Sequence, residues 1–143
     1  MIKFTSTQPN NSYFGIVLGS ESMTNTDCIV FTAANSGLAV DYHSTDFGVA
    51  PKPDAQNDVT SSSVTNADGT LSITATRKWN TGDALDFVIP GTSKWELGYA
   101  FHGSYATRRG IQKHTNAGEI YIGNNAVMLA LGASMYYLTS YLF

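Results

Sequence analysis

Charge is scarce in this chain. Asp, Glu, Lys and Arg make up 13% of its 143 residues, eight basic side chains against eleven acidic ones, about half the share usual in soluble domains. Lys and Arg stand singly or as the pairs Arg77-Lys78 and Arg108-Arg109, so no basic patch exists to neutralise phosphates, and nucleic acid is a poor partner. The single cysteine, Cys28, excludes an internal disulfide; inside a strand-like run it reads as a small buried hydrophobe. There is no HExxH or CxxC spacing among the three histidines and no GxSxG elbow among the many serines, which leaves zinc chemistry and a serine triad without a scaffold. Residues 1–12 hold no apolar core of a signal peptide, so either the protein is cytosolic or the sequence begins after the signal.

What the chain has is Ser, Thr and Asn for polarity, with eight Tyr, seven Phe and two Trp for a core, and its length is that of one domain able to bury that core. Residues 1–12 read as an extended segment closing in the turn cluster Pro9-Asn10-Asn11, where Asn10-Asn11-Ser12 fits the N-glycosylation pattern at Asn10. Phe14–Leu18 is an apolar strand ended by Gly19-Ser20, and residues 20–26 form a polar loop carrying Met23. Residues 27–33 and 38–43 form a hairpin about the turn at 35–37. Residues 44–58, with Pro51, Pro53 and several aspartates, are irregular, and Val59–Val64 is a further strand. Beyond it, Leu71, Ile73 and Ala75 alternate, as do Leu85, Phe87 and Ile89, then Trp95, Leu97, Tyr99 and Phe101; residues 119–123 offer a last short strand. Small residues alternate with that third set, Gly98 and Ala100, and allow another layer or a ligand to approach. About eight short strands without an amphipathic helix predict an all-β fold, an immunoglobulin-like antiparallel β-sandwich.

The last eighteen residues, Ala126–Phe143, carry no charge. Their length is at the short end of a bilayer span, and the start favours helix. A transmembrane segment, a lipid-anchor signal and a buried hydrophobic C-terminal helix are the readings of this tail. The domain organisation is thus an N-terminal extension 1–12, a sandwich 13–123 and a hydrophobic tail 124–143.

Several stretches are collinear with one family. FGIVLGS at 14–20, Met23, NTDCIVF at 25–31, DYHS at 41–44 and PKPDAQND at 51–58 are followed by DGTLSITATRKWNTGDALDF at 68–87, KWELGYAFHG at 94–103 and KHTNAG at 113–118. Together these resemble the DOMON domain, the sandwich of the haem b cytochrome domain of cellobiose dehydrogenase and of ferric-reductase-like proteins. The resemblance implies haem b, held axially by a Met in the loop after the first matched strand and a His before the last, which fall on Met23 and His114. Such a six-coordinate iron suits one-electron transfer. Phe14, Tyr99 and Phe101 are then candidates to wall the macrocycle, and Arg108 or Arg109 to meet a propionate. Other members of the family lack the axial pair and bind sugars or other small ligands, so a non-haem binding or structural subunit is the alternative.

The resemblance also implies a module without its own catalytic centre, working with a separate redox protein in a membrane assembly on the extracellular or lumenal face. Only thirteen residues precede the segment that matches FGIVLGS, which predicts a sandwich truncated at its N-terminus whose sheet a neighbouring subunit completes. Asp41, Asp46, Asp54 and Asp58 suggest calcium only distantly, because they lack a compact loop spacing.

Overall fold

The computed structural model describes residues 1–9, 12–20, 22–32, 38–47, 49–65, 68–90, 95–102, 115–120 and 141–142. Ten strands follow in chain order: β1 (Ile2–Pro9), β2 (Tyr13–Leu18), β3 (Thr26–Thr32), β4 (Ala39–Ser44), β5 (Lys52–Pro53), β6 (Thr60–Thr65), β7 (Thr70–Arg77), β8 (Trp95–His102), β9 (Thr115–Ile120) and β10 (Tyr141–Leu142). They form a four-stranded sheet, β10-β1-β7-β6, and a six-stranded sheet, β5-β4-β3-β2-β8-β9. Every pairing is antiparallel, and no helix occurs among the described residues. This is the all-β antiparallel sandwich that the alternation predicts.

Period-two alternation builds the core between the sheets. Ile2 and Phe4 of β1 with Leu71, Ile73 and Ala75 of β7 meet Phe14, Ile16 and Leu18 of β2 with Ile29 and Phe31 of β3. The Phe14 and Phe31 rings lie 6.1 Å apart at 41°, within the range of favourable tilted pairs. Strands β2 and β3 are buried on their other face as well. Tyr13, Val17, Cys28 and Val30 are buried yet lie outside the inter-sheet core.

The segment read as an N-terminal extension is strand β1 of the smaller sheet. It pairs with β7 along its whole length, from Ile2 opposite Arg77 to Pro9 opposite Thr70. Its inward residues are Ile2, Phe4, Ser6 and Gln8, and the two polar members of that set break the apolar pattern that marks a core strand. Gln8 Nε2 donates to the carbonyls of Ser12 and Phe31, at 3.0 and 3.2 Å, and so ties β1 to the opposite sheet.

The alternation of Leu85, Phe87 and Ile89 does not become a strand. Side chains take the backbone N–H groups there: Gly82 N donates to Asn80 Oδ1, Asp83 N to Thr81 Oγ1 and Leu85 N to Asp83 Oδ1. Local bonds of this kind compete with a sheet ladder. The result is an irregular segment, 78–90, in which Ile89 reaches the core and Phe87 packs against it. Of the tail, Tyr141 and Leu142 are extended and pair with Lys3 and Ile2. The expected C-terminal helix otherwise falls outside the described residues.

Candidate functional site

The inward face of the six-stranded sheet turns from apolar to charged at one end. Asp27 continues the inward phase of Ile29 and Phe31, and Asp41 that of Ala39. From the opposite sheet, Arg77 continues the phase of Leu71, Ile73 and Ala75 and is 1% exposed. Its Nη1 donates to Asp27 Oδ2 at 2.6 Å and its Nη2 to the Phe87 carbonyl at 2.9 Å. Asp86 Oδ2 lies 3.2 Å from Nη2. Asp27 Oδ2 also accepts from Phe87 N at 2.8 Å, so one carboxylate and one guanidinium clamp both backbone groups of Phe87.

The carboxyl oxygens of Asp27, Asp41 and Asp86 lie within 4.8 Å of one another. Burial pushes the Asp27 carboxyl up to about 6 against the pull of Arg77. Burial, reinforced by the charges of Asp27 and Asp86, pushes Asp41 up to about 8, and burial also raises Asp86. The Cys28 thiol, pushed up to about 12 by burial and then by Asp27 and Asp41, stays protonated and unreactive at neutral pH.

Above this group lies a cavity of about 400 Å³, lined by Leu18, Gly19, Ser20, Asn25, Thr26, Asp27 and His43 on one side and by residues 84–87 on the other. Gly19, at φ +73°, forms its corner, where a Cβ would overlap the Phe87 ring; only glycine allows both the turn and that approach. His43 Nε2 is 3.2 Å from Asn25 Oδ1.

The loop 19–25 is held by short polar bonds. Ser20 Oγ accepts from Ser22 N, Ser22 Oγ accepts from Thr24 N, and Asn25 N donates to the Thr45 carbonyl. Within this polar loop Met23 is turned inward and is only 3% exposed. It does not line the cavity.

Of the other residues singled out from the sequence, Phe14 is a core side chain between the sheets. Register places Tyr99 opposite Ile16 and Phe101 opposite Phe14. Asn10, Arg108, Arg109 and His114 fall outside the described residues. The four aspartates weighed for calcium do not form one group. Asp41 joins Asp27 and Asp86, and Asp54 joins Asp83 and Asp86, whereas Asp46 accepts from Phe47 N and Asp58 from Gln56 Nε2. Asp27, Arg77 and Asp86 escaped notice in the sequence. The signal for Arg77 was its phase: it falls on the inward beat of β7.

The described fold is thus that of a two-sheet antiparallel sandwich with a ligand-sized cavity at one end. The chain belongs to the DOMON domain family, whose family model matches residues 1–102, a span that includes β1 and ends before His114. No curated protein and no solved structure matches the chain.

A buried thioether in the loop after β2 fits an axial ligand of haem, since that sulfur must face the protein interior. The cavity does not fit the macrocycle, because Asp27 and Asp86 in its wall would meet the propionates with like charge.

Proposed function

We propose that this DOMON domain holds haem b between Met23 and His114 and passes single electrons to a separate redox protein, as a module without a catalytic centre of its own in a membrane assembly on the extracellular or lumenal side. The observation that carries the reading is Met23: a thioether 3% exposed in a loop otherwise made of polar residues. Thr115, the residue after His114, pairs with Tyr99, and Tyr99 with Ile16, so β9 begins two strands from β2 in the same sheet, roughly 10 Å at the usual strand spacing. Burial of both faces of β2 and β3 supplies an apolar layer outside the core, and Gly15 and Gly98 lie within it as buried positions without side chains. Held by Met23 and His114, haem would supply one-electron transfer.

The test is the absorption spectrum of native-source protein, oxidised and then reduced with dithionite. Low-spin b-type bands are expected, and both Met23→Leu and His114→Ala should shift or abolish them while the far-ultraviolet circular dichroism stays that of a β-protein. Unchanged bands in both variants would remove the ligand assignment.

A second reading has its own observation, the polar cavity rimmed by Ser20, Asn25, Thr26 and His43. It makes the domain a binding subunit for a carbohydrate or another small polar ligand. A folded protein with a flat visible spectrum, and amide shifts at Asn25 and Thr26 on titration with saccharides, is the result that favours it.

A further inference from the structure

The ionisable groups beneath the cavity do not balance. If Asp27, Asp41 and Asp86 were all ionised, the one guanidinium of Arg77 would leave two negative charges without compensation in the interior, where an unpaired ion is strongly disfavoured. Asp41 is the least supported of the three. It is fully buried, its Oδ1 has no partner, and its Oδ2 accepts only a long 3.4 Å bond from Asp58 N. Asp27 Oδ1 likewise lacks a hydrogen-bond donor, and Asp86 Oδ2 has only the ion-pair contact with Arg77 Nη2 at 3.2 Å.

We propose that Asp41 is held protonated in the folded protein beside the Asp27 and Asp86 carboxyls, one oxygen of each lying within 4.8 Å of the others, and that this proton is a pH-sensitive latch on the cavity end of the sandwich. Oδ1 of Asp27 and of Asp41 have no hydrogen-bond donor and are shut off from solvent, and a proton shared between the carboxyls meets that need with no added volume; a cation, which three carboxyl oxygens within 4.8 Å of one another could also hold, is the competing occupant. The charged and titratable groups facing Asp41 are Asp27 and Cys28 from β3, Arg77 from β7, Asp86 and Asp58 from the irregular segments, and His43 on its own strand. Only Arg77 among them is a permanent cation. Losing the proton would set Asp41 in competition for the guanidinium that holds the Phe87 carbonyl, and Phe87 forms the cavity wall with Asp86. The latch therefore releases the 84–87 rim as pH rises.

The sign follows from linkage. The folded state keeps the Asp41 proton at pH values where the unfolded chain, with an ordinary carboxyl near 4, has released it. Stability contributed by that proton is complete below about pH 4, falls as pH rises toward about 8, and is level beyond. Asp27 contributes the same slope only up to about 6, which leaves the interval from 6 to 8 to Asp41.

The experiment is urea denaturation of the full chain and of its Asp41→Asn variant, from about pH 5 to 9. Between 6 and 8 the unfolding constant of the parent should rise about tenfold per pH unit relative to the variant, the slope for one proton. Parallel curves overturn the proposal. Should the variant not fold, carbon-13 titration of the aspartate carboxyls in the parent decides the matter. One carboxyl still protonated at pH 7 is expected, and all carboxyls ionised by pH 6 overturns it. A midpoint raised by calcium chloride, and lowered by EDTA, would put a metal in place of the proton and overturn it as well.

Discussion

The two ends of the sandwich bury polar groups in opposite ways. At one end the plug is neutral and closed: Ser6 Oγ donates to Gln8 Oε1, Gln8 Nε2 to the Ser12 and Phe31 carbonyls, and Thr32 Oγ1 to the Ser12 carbonyl. At the other end sit Arg77, Asp27, Asp41 and Asp86. All the buried side-chain atoms that lack a hydrogen-bond partner among the described residues belong to this end, on Asp27, Asp41, His43, Ser44, Arg77 and Asp86. A closed neutral network joins two sheets and does nothing more. An incompletely satisfied charged group under a cavity is poised to respond to a ligand or to pH, and functional sites tolerate such disorder in their polar satisfaction where structural ones do not.

Removing a partner from each end breaks the comparison most sharply. Arg77→Met keeps much of the side-chain volume and strips the cation from Asp27 and Asp86, leaving buried carboxylates unpaired. The expected loss is about 3–5 kcal/mol at neutral pH, by urea denaturation. The loss should shrink as pH falls through the raised pKa values of Asp27 and Asp86, because protonated carboxyls no longer need the guanidinium. A loss of the same size at about pH 4 and pH 7 would show that Arg77 acts by packing alone.

The contrast also explains what could be read from the sequence. Alternation in Leu71-Ile73-Ala75, where one apolar face imposes a period of two, and the short, mostly apolar runs Phe14–Leu18 and 27–33, which suit strands buried on both faces, place the central strands and the sandwich. That same period continues through Asp27, Asp41 and Arg77. Asp27 and Arg77 are not singled out by the sequence because composition treats a charge as a surface residue, while the partner that compensates each lies 50 residues away; Asp41 stands out only as one of four scattered aspartates, not as part of this group. β1 was missed for the related reason that Ser6 and Gln8 occupy two of its inward positions. Residues 83–89 were misread in the other direction: Asn80, Thr81 and Asp83 take the backbone donors that a ladder needs. Met23 was legible as a residue to watch through the family resemblance, but its burial was not, since nothing local in a Ser/Thr/Asn loop says which way a side chain turns.

The neutral end gives the smaller effects. Gln8→Leu removes the donor shared by Ser12 and Phe31 carbonyls and should cost about 1–3 kcal/mol by the same denaturation measurement, the range for leaving buried polar groups unsatisfied. No titrating group takes part in that network, so the loss should be equal at about pH 5 and pH 8. A pH-dependent loss would mean that the two ends are coupled through the core. Ser6→Ala is the mildest change. It removes only the donor to Gln8 Oε1, leaves Gln8 Nε2 bonded to both carbonyls, and should cost about 0.5–1.5 kcal/mol. If instead it matched Gln8→Leu, the Ser6 bond would be what orients the Gln8 amide, and the plug would stand or fall as one unit.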